Sequence, residues 1–121
     1  MKNNYKKLFC FIVFVVLLCI SGNAQNPCES DDLCVVQFNA SFNEANKVEW
    51  VNKLNDCSTS FVDIGTNTEA AGKYKIVVVP TILIFNGGEE VARFQANIMM
   101  TMEATKKDIQ NKIDEIIMED F

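Results

Sequence analysis

The segment that most restricts the fold runs from Ile76 to Gly88. Ile76-Val77-Val78-Val79 leads into Pro80, Thr81-Ile82-Leu83-Ile84-Phe85 follows, and Asn86-Gly87-Gly88 closes the run. A short aliphatic stretch of this kind reads as a buried strand. Pro80 has no N–H to give to a ladder, so the strand begins at Thr81. Glycine supplies the positive φ of a tight hairpin, so Thr81–Phe85 turns back on Val91–Gln95. A proline followed by an antiparallel pair is the fixed point around which the rest of the chain is placed.

The other elements follow from periodicity. Val35 to Asn39 is an apolar run suited to a buried strand. Asn43 to about Asp56 reads as a helix, with Val48, Val51 and Leu54 at three-residue spacing and Trp50 beside them. Ser60 to Ile64 is a second strand, Gly65 to Thr68 a turn, and Glu69 to about Tyr74 a short helix. Thr101 to about Met118 carries Ile109, Ile113, Ile116 and Ile117, the stripe of an amphipathic helix. The order is β-α-β-α-β-β-α. Two strands joined through a helix are expected to be parallel, with a right-handed crossover.

The amino terminus reads as an address. Lys2, Lys6 and Lys7 precede an unbroken apolar run of 13 residues, Leu8 to Ile20, and Ser21-Gly22-Asn23-Ala24 ends it with small residues. These are the three parts of a secretory signal peptide, with cleavage expected after Ala24. Such a run makes only about 20 Å of helix, against a hydrocarbon core of about 30 Å. A lipoprotein signal modified at Cys19 fits poorly, because Leu17 and Leu18 precede it. The expected organisation is a signal peptide over 1–24, a polar loop over 25–33 and one domain over 34–121. The destination is the periplasm or the extracellular space, with a bacterial envelope favoured.

Composition excludes several classes. With 121 residues, 49% hydrophobic and 22% charged, the chain is too short for two ordinary domains and too apolar for a disordered one. Without residues 1–24 it keeps eight basic and sixteen acidic residues, a net charge of −8. That charge repels phosphate backbones and anionic lipid, so no nucleic acid and no membrane insertion of the mature chain are expected. The absence of histidine removes Cys/His zinc sites, Ser–His triads and Cys–His dyads. No cofactor and no metal are expected.

Of the five cysteines, Cys10 and Cys19 belong to the leader, and Cys28, Cys34 and Cys57 remain. Three pairings are open. The starts of the first two strands should be neighbours, so Cys34 and Cys57 can approach for a structural bridge. They can equally be two small buried hydrophobes that never pair. Cys28–Cys34 is the competing pair. Cys28, in the leading loop, is the candidate free thiol.

Two segments carry a family resemblance. Lys73-Tyr74-Lys75-Ile76-Val77-Val78-Val79-Pro80-Thr81, with Ile82-Leu83-Ile84-Phe85-Asn86-Gly87 after it, resembles the K-Y-x-I-x-x-x-P-T segment and L-x-F-x-x-G hairpin of thioredoxins. Val35-Val36-Gln37-Phe38-Asn39-Ala40-Ser41-Phe42 is similar to the V-D-F-W-A-x-W that leads into their active site. The resemblance covers about Cys34 to Ile117 and lacks the first strand and helix of a full-length member. It implies an α/β, minimal thioredoxin-like fold, with a four-stranded mixed sheet flanked by helices and a cis bond before Pro80.

The same resemblance exposes a gap. Where the family has C-G-P-C, this chain has Asn43-Glu44-Ala45-Asn46. Thiol–disulfide exchange needs a thiolate and a resolving thiol within reach, and neither asparagine offers sulfur. Asn43 is expected to cap a helix instead, with Glu44 at the positive end of its dipole. Gln37 stands where the family has a buried acid, and Asn39 where it has its first tryptophan.

What remains is the groove. In thioredoxin-like proteins the residue before the proline, the proline and a loop before the last helix hold an extended polypeptide. The matching positions are Phe42, Val79, Pro80, Ala96, Asn97 and Ile98. The backbone of Val79 would pair with the partner by β-augmentation. Ile98-Met99-Met100-Thr101-Met102 is read either as packing under a helix start or as an adaptable apolar surface. Methionine-only copper(I) binding is disfavoured, because adjacent methionines point different ways. Asn39-Ala40-Ser41 matches the glycosylation pattern. The expected role is non-catalytic binding of an envelope or secreted protein or peptide. The alternatives are an oxidoreductase working through cysteines outside a CxxC, and an oligomer bridged through Cys28.

Overall fold

A computed structural model describes residues 27–28 and 32–120. The expected leader over 1–24 lies outside the described residues. Four strands form one mixed sheet: β1 (Cys34–Asn39), β2 (Ser58–Asp63), β3 (Thr81–Asn86) and β4 (Glu89–Gln95), in the order β2-β1-β3-β4. β1 and β2 are parallel, while β3 is antiparallel to both β1 and β4. The described residues also form two α-helices, α1 (Thr68–Lys73) and α2 (Lys106–Glu119). Among the described residues, no helix is long and apolar enough to cross a membrane.

The alternation of side chains along the sheet divides the core in two. Val35, Ile82 and Ile84 face Ile109, Ile113 and Ile116 of α2, together with Val48, Val51 and Leu54. Cys34, Val36, Phe38, Leu83 and Phe85 face the other way, onto Cys28 and Ala70 of α1. Tyr74 closes that second layer, its ring 5.6 Å from Phe38 and 5.4 Å from Phe85 between centroids. β1 is buried along its whole length because both of its faces are covered. The Arg93 guanidinium ties the exit of α1 to β4, donating to the carbonyls of Tyr74 (2.6 Å) and Lys75 (3.0 Å) while bonded to Glu90.

The hairpin forms as the sequence requires, with Gly87 and Gly88 at φ of 64° and 81°. The expected helix over 43–56 does not form. In its place are two 3₁₀ segments, Ser41–Asn46 and Val51–Lys53. The reason is Gln37. Its Nε2 donates to the Val48 carbonyl (3.0 Å) and its Oε1 accepts from the Val48 N–H (2.8 Å). A backbone unit held at both ends by a sheet side chain is withdrawn from a helical ladder. The three-residue spacing of Val48, Val51 and Leu54 is itself the period of a 3₁₀ helix, and all three still reach the expected core.

α2 begins later than its apolar stripe led one to expect, at Lys106 rather than Thr101. Thr105 and Asp108 form a capping box. The Asp108 N–H donates to Thr105 Oγ1 (3.1 Å) and the Thr105 N–H to Asp108 Oδ2 (2.8 Å). Residues 97–101 are instead wound into a loop by Asn97, whose Oδ1 accepts from the N–H groups of Met99 (2.9 Å) and Thr101 (3.1 Å).

Candidate functional site

Three chain segments converge at one end of β1. They are the 3₁₀ turn that follows it, the Val79–Pro80 bond, which is cis, and the loop 97–101. Asn43 lies at their junction, only 4% exposed. Its Nδ2 faces three acceptors, each at 3.2 Å: Asn39 Oδ1, the Val79 carbonyl and the Met100 carbonyl. Two hydrogens for three oxygens means that at least one is shared. Its Oδ1 accepts from Asn46 Nδ2 at 2.9 Å, and its own carbonyl accepts from Asn39 Nδ2 at 3.2 Å.

This corrects the expectation that Asn43 caps a helix. The cap position belongs to Ala40, no side chain caps the turn, and Asn43 has a non-helical backbone (φ −115°, ψ 23°). Only a group that both donates and accepts can serve a junction with carbonyls on one side and an amide on the other. Asparagine does so without charge, so nothing here titrates. No buried side-chain nitrogen or oxygen among the described residues lacks a hydrogen-bond partner. Chemically the junction can hold three segments together, but it cannot attack, accept an electron or carry a proton.

The residues expected to form a groove divide into a floor and a rim. Val79, Pro80 and Ala96 are buried, and the Ala96 N–H donates to the Pro80 carbonyl at 3.0 Å. Asn97 is half-buried and organises its own loop. Phe42 and Ile98 stand out, 75% and 98% exposed, and Val77 and Met99 are exposed as well. The Val79 carbonyl accepts from Asn43 with one of its two lone pairs, and apolar side chains stand around it. Beside it, a groove of about 280 Å³ runs between Asn46, Trp50, Thr101 and Met102.

The methionines divide between packing and exposure. Met102 packs against the α2 core, while Met99 is exposed. The two thioethers therefore diverge. Among the described residues, no group of three or more acidic or cysteine side chains is placed to hold a metal ion. The glycosylation pattern at Asn39 falls on a side chain with no exposed surface, closed to modification in the folded protein.

The cysteines also require a correction. Cys34 does not bridge to Cys57; it bonds to Cys28, with the Cα atoms 6.0 Å apart. Cys28 is therefore not the free thiol; among the described residues Cys57 is. Strand alternation gives the reason. Cys34 points into the layer containing Val36 and Phe38, whereas Cys57 packs on the opposite side of the sheet, with Val35 and Ile84. Adjacent strand starts bring backbones together, but sulfurs on opposite faces cannot meet. The disulfide is buried, and burial with the Asp56 carboxylate pushes the Cys57 thiol above its ordinary range.

Comparison with solved structures places this geometry. A thioredoxin from Fasciola hepatica is 30% identical, with a TM-score of 0.53, over 71% of this chain and 82% of that one. A designed protein matches at 28% identity and a TM-score of 0.57, over 73% of this chain and 83% of its own. A thioredoxin from Schistosoma mansoni shares the fold at 22% identity, with a TM-score of 0.57, over 72% and 80% of the two chains. No family model matches the sequence, and no curated protein matches it. With 30% identity over the aligned residues, which span 82% of a thioredoxin, and with the same mixed sheet, this chain belongs to the thioredoxin-like family.

Proposed function

We propose that this is an exported thioredoxin-fold protein without redox activity, a module that binds an extended protein or peptide segment of the envelope or extracellular space. The observation that carries the reading is the Asn43 junction. The position where the family keeps its nucleophile holds a neutral amide bonded to Val79, Met100 and Asn46. The partner is held by Phe42 and Ile98 at the rim, over a floor of Val79, Pro80, Ala96 and Asn97. The backbone of Val79, whose carbonyl keeps a lone pair beside its bond from Asn43, would pair with the extended partner, and the apolar rim would add side-chain contacts. Export rests on the leader pattern of residues 1–24, and the intrachain disulfide suits an oxidising compartment.

The bond of Cys28 to Cys34 speaks against an oligomer bridged through Cys28. An oxidoreductase would have to use a buried disulfide or a thiol of raised pKa, both poor for exchange. Insulin reduction separates the two readings. The module should show no turnover above background, and turnover abolished by Cys57→Ser would make it an enzyme. A displayed library of extended peptides should yield binders whose affinity falls at least tenfold in both Phe42→Asp and Ile98→Asp. Equal binding by wild type and both variants would remove this face from consideration.

A further inference from the structure

We propose that the chain also pairs with a second copy of itself, β2 against β2, joining two sheets edge to edge. β2 is the last strand on one side of the sheet. Its Ser58 N–H donates to Leu33, and the N–H of Ile64 just beyond it donates to Asn39, so the even positions face β1. Strand alternation then turns the backbone groups of Thr59 and Phe61 and the N–H of Asp63 outward. Among the described residues, no strand pairs with that side.

The two edges of the sheet are built differently. β4 carries Glu89, Glu90 and Arg93, and its pairing slips between Ile84 and Phe85. Charges and a bulge are the usual means of blocking edge pairing. β2 has neither. Ser58-Thr59-Ser60-Phe61-Val62 is uncharged, without proline, and its register with β1 is unbroken.

A second copy fits because the segment is complementary to itself. With the two Phe61 residues opposite each other, they exchange both N–H and C=O groups. Each Asp63 N–H then meets the partner's Thr59 carbonyl. The ladder ends there, since the Asp63 carbonyl already accepts from Thr66 and Asn67. Phe61 is 44% exposed, with the Lys47 ammonium 4.7 Å from its ring centroid. Pairing lays ring beside ring on one face, a favourable cross-strand contact. The two Asp63 carboxylates fall at opposite ends of the ladder, four residues or about 14 Å apart. That exceeds the screening length of about 8 Å at physiological salt. The net negative charge of the two chains still opposes association, so salt should favour the pair.

The test uses the whole chain, expressed in an exporting bacterium and recovered as the cell processes it. Sedimentation at rising concentration should show the mass doubling, at lower concentration when salt is raised. Phe61→Lys should restore the monomer while keeping the wild-type circular dichroism spectrum. Thr59→Lys, at an exposed position of the same edge, serves if that variant does not fold. In a Cys57→Ser background, Phe61→Cys should give a disulfide-linked dimer on mild oxidation and Ser60→Cys should not. A monomer at every concentration overturns the proposal, as does a dimer that survives both lysine variants. Crosslinking through position 60 instead of 61 overturns the pairing. Amides 59, 61 and 63 protected from exchange in a monomer would mean that the chain's own amino-terminal residues cover the edge, and the proposal would fall.

Discussion

At the scale of single residues, two neutral amides take the places of reactive groups. Gln37 holds Val48 by two hydrogen bonds, and Asn43 holds Val79 and Met100. Asn43→Ala should therefore cost about 1–3 kcal/mol, the penalty of leaving buried carbonyls without donors, as read by urea unfolding. Gln37→Glu makes a sharper test. A buried carboxylate facing the Val48 carbonyl has its pKa raised. Its protonated form, which can donate as Gln37 does, is favoured by folding. The variant should then approach wild-type stability at acidic pH and lose it as pH rises through the folded pKa. A pH-independent deficit would show that the Val48 clasp is not what matters. Cys57 should react with a neutral alkylating reagent more slowly than a free cysteine, the rate rising only at alkaline pH, because burial and Asp56 hold the thiol protonated.

Elements were legible where local chemistry sufficed and illegible where a distant side chain intervened. The glycine turn and the α2 stripe were readable because their signals lie within a few residues. The helix over 43–56 was not, since nothing in that segment reveals that Gln37, on another element, will claim its backbone. Gly87→Ala should cost about 1 kcal/mol from its left-handed backbone alone, because a Cβ there meets nothing within 4 Å. Thr105→Ala removes one half of the capping box and should cost about 1 kcal/mol. The Asp108 carboxyl is held below its usual range by its bonds to Thr105 and by Lys107. Its contribution to α2 is present above the unfolded carboxylate pKa and disappears as pH falls through the folded value. Asp108→Asn should flatten that acid limb in a helicity titration followed by circular dichroism.

For the whole molecule, the sheet separates two chemistries that sequence order alone would mix. Cys34 and Val35 are neighbours in the chain, yet one joins the layer with Cys28 and the other the layer with α2. The disulfide closes a short loop of six-residue separation. Chain entropy gives such a loop about 2 kcal/mol. A Cys28→Ser, Cys34→Ser double variant should thus melt roughly 8–16 °C lower, with binding at the Pro80 face retained. Loss of peptide binding in a variant that remains folded would tie the disulfide to the site.

The sequence alone determined the element types with local signals, the resemblance to the family, and the absence of thiols where the fold would use them. Residue identity and short-range periodicity are present before folding, so they can be read before it. The tertiary structure decided which sulfurs meet, what Asn43 does and which edge of the sheet stays open. Each depends on the face to which a side chain is turned and on what another segment brings opposite it. Those facts come into being only when the strands align.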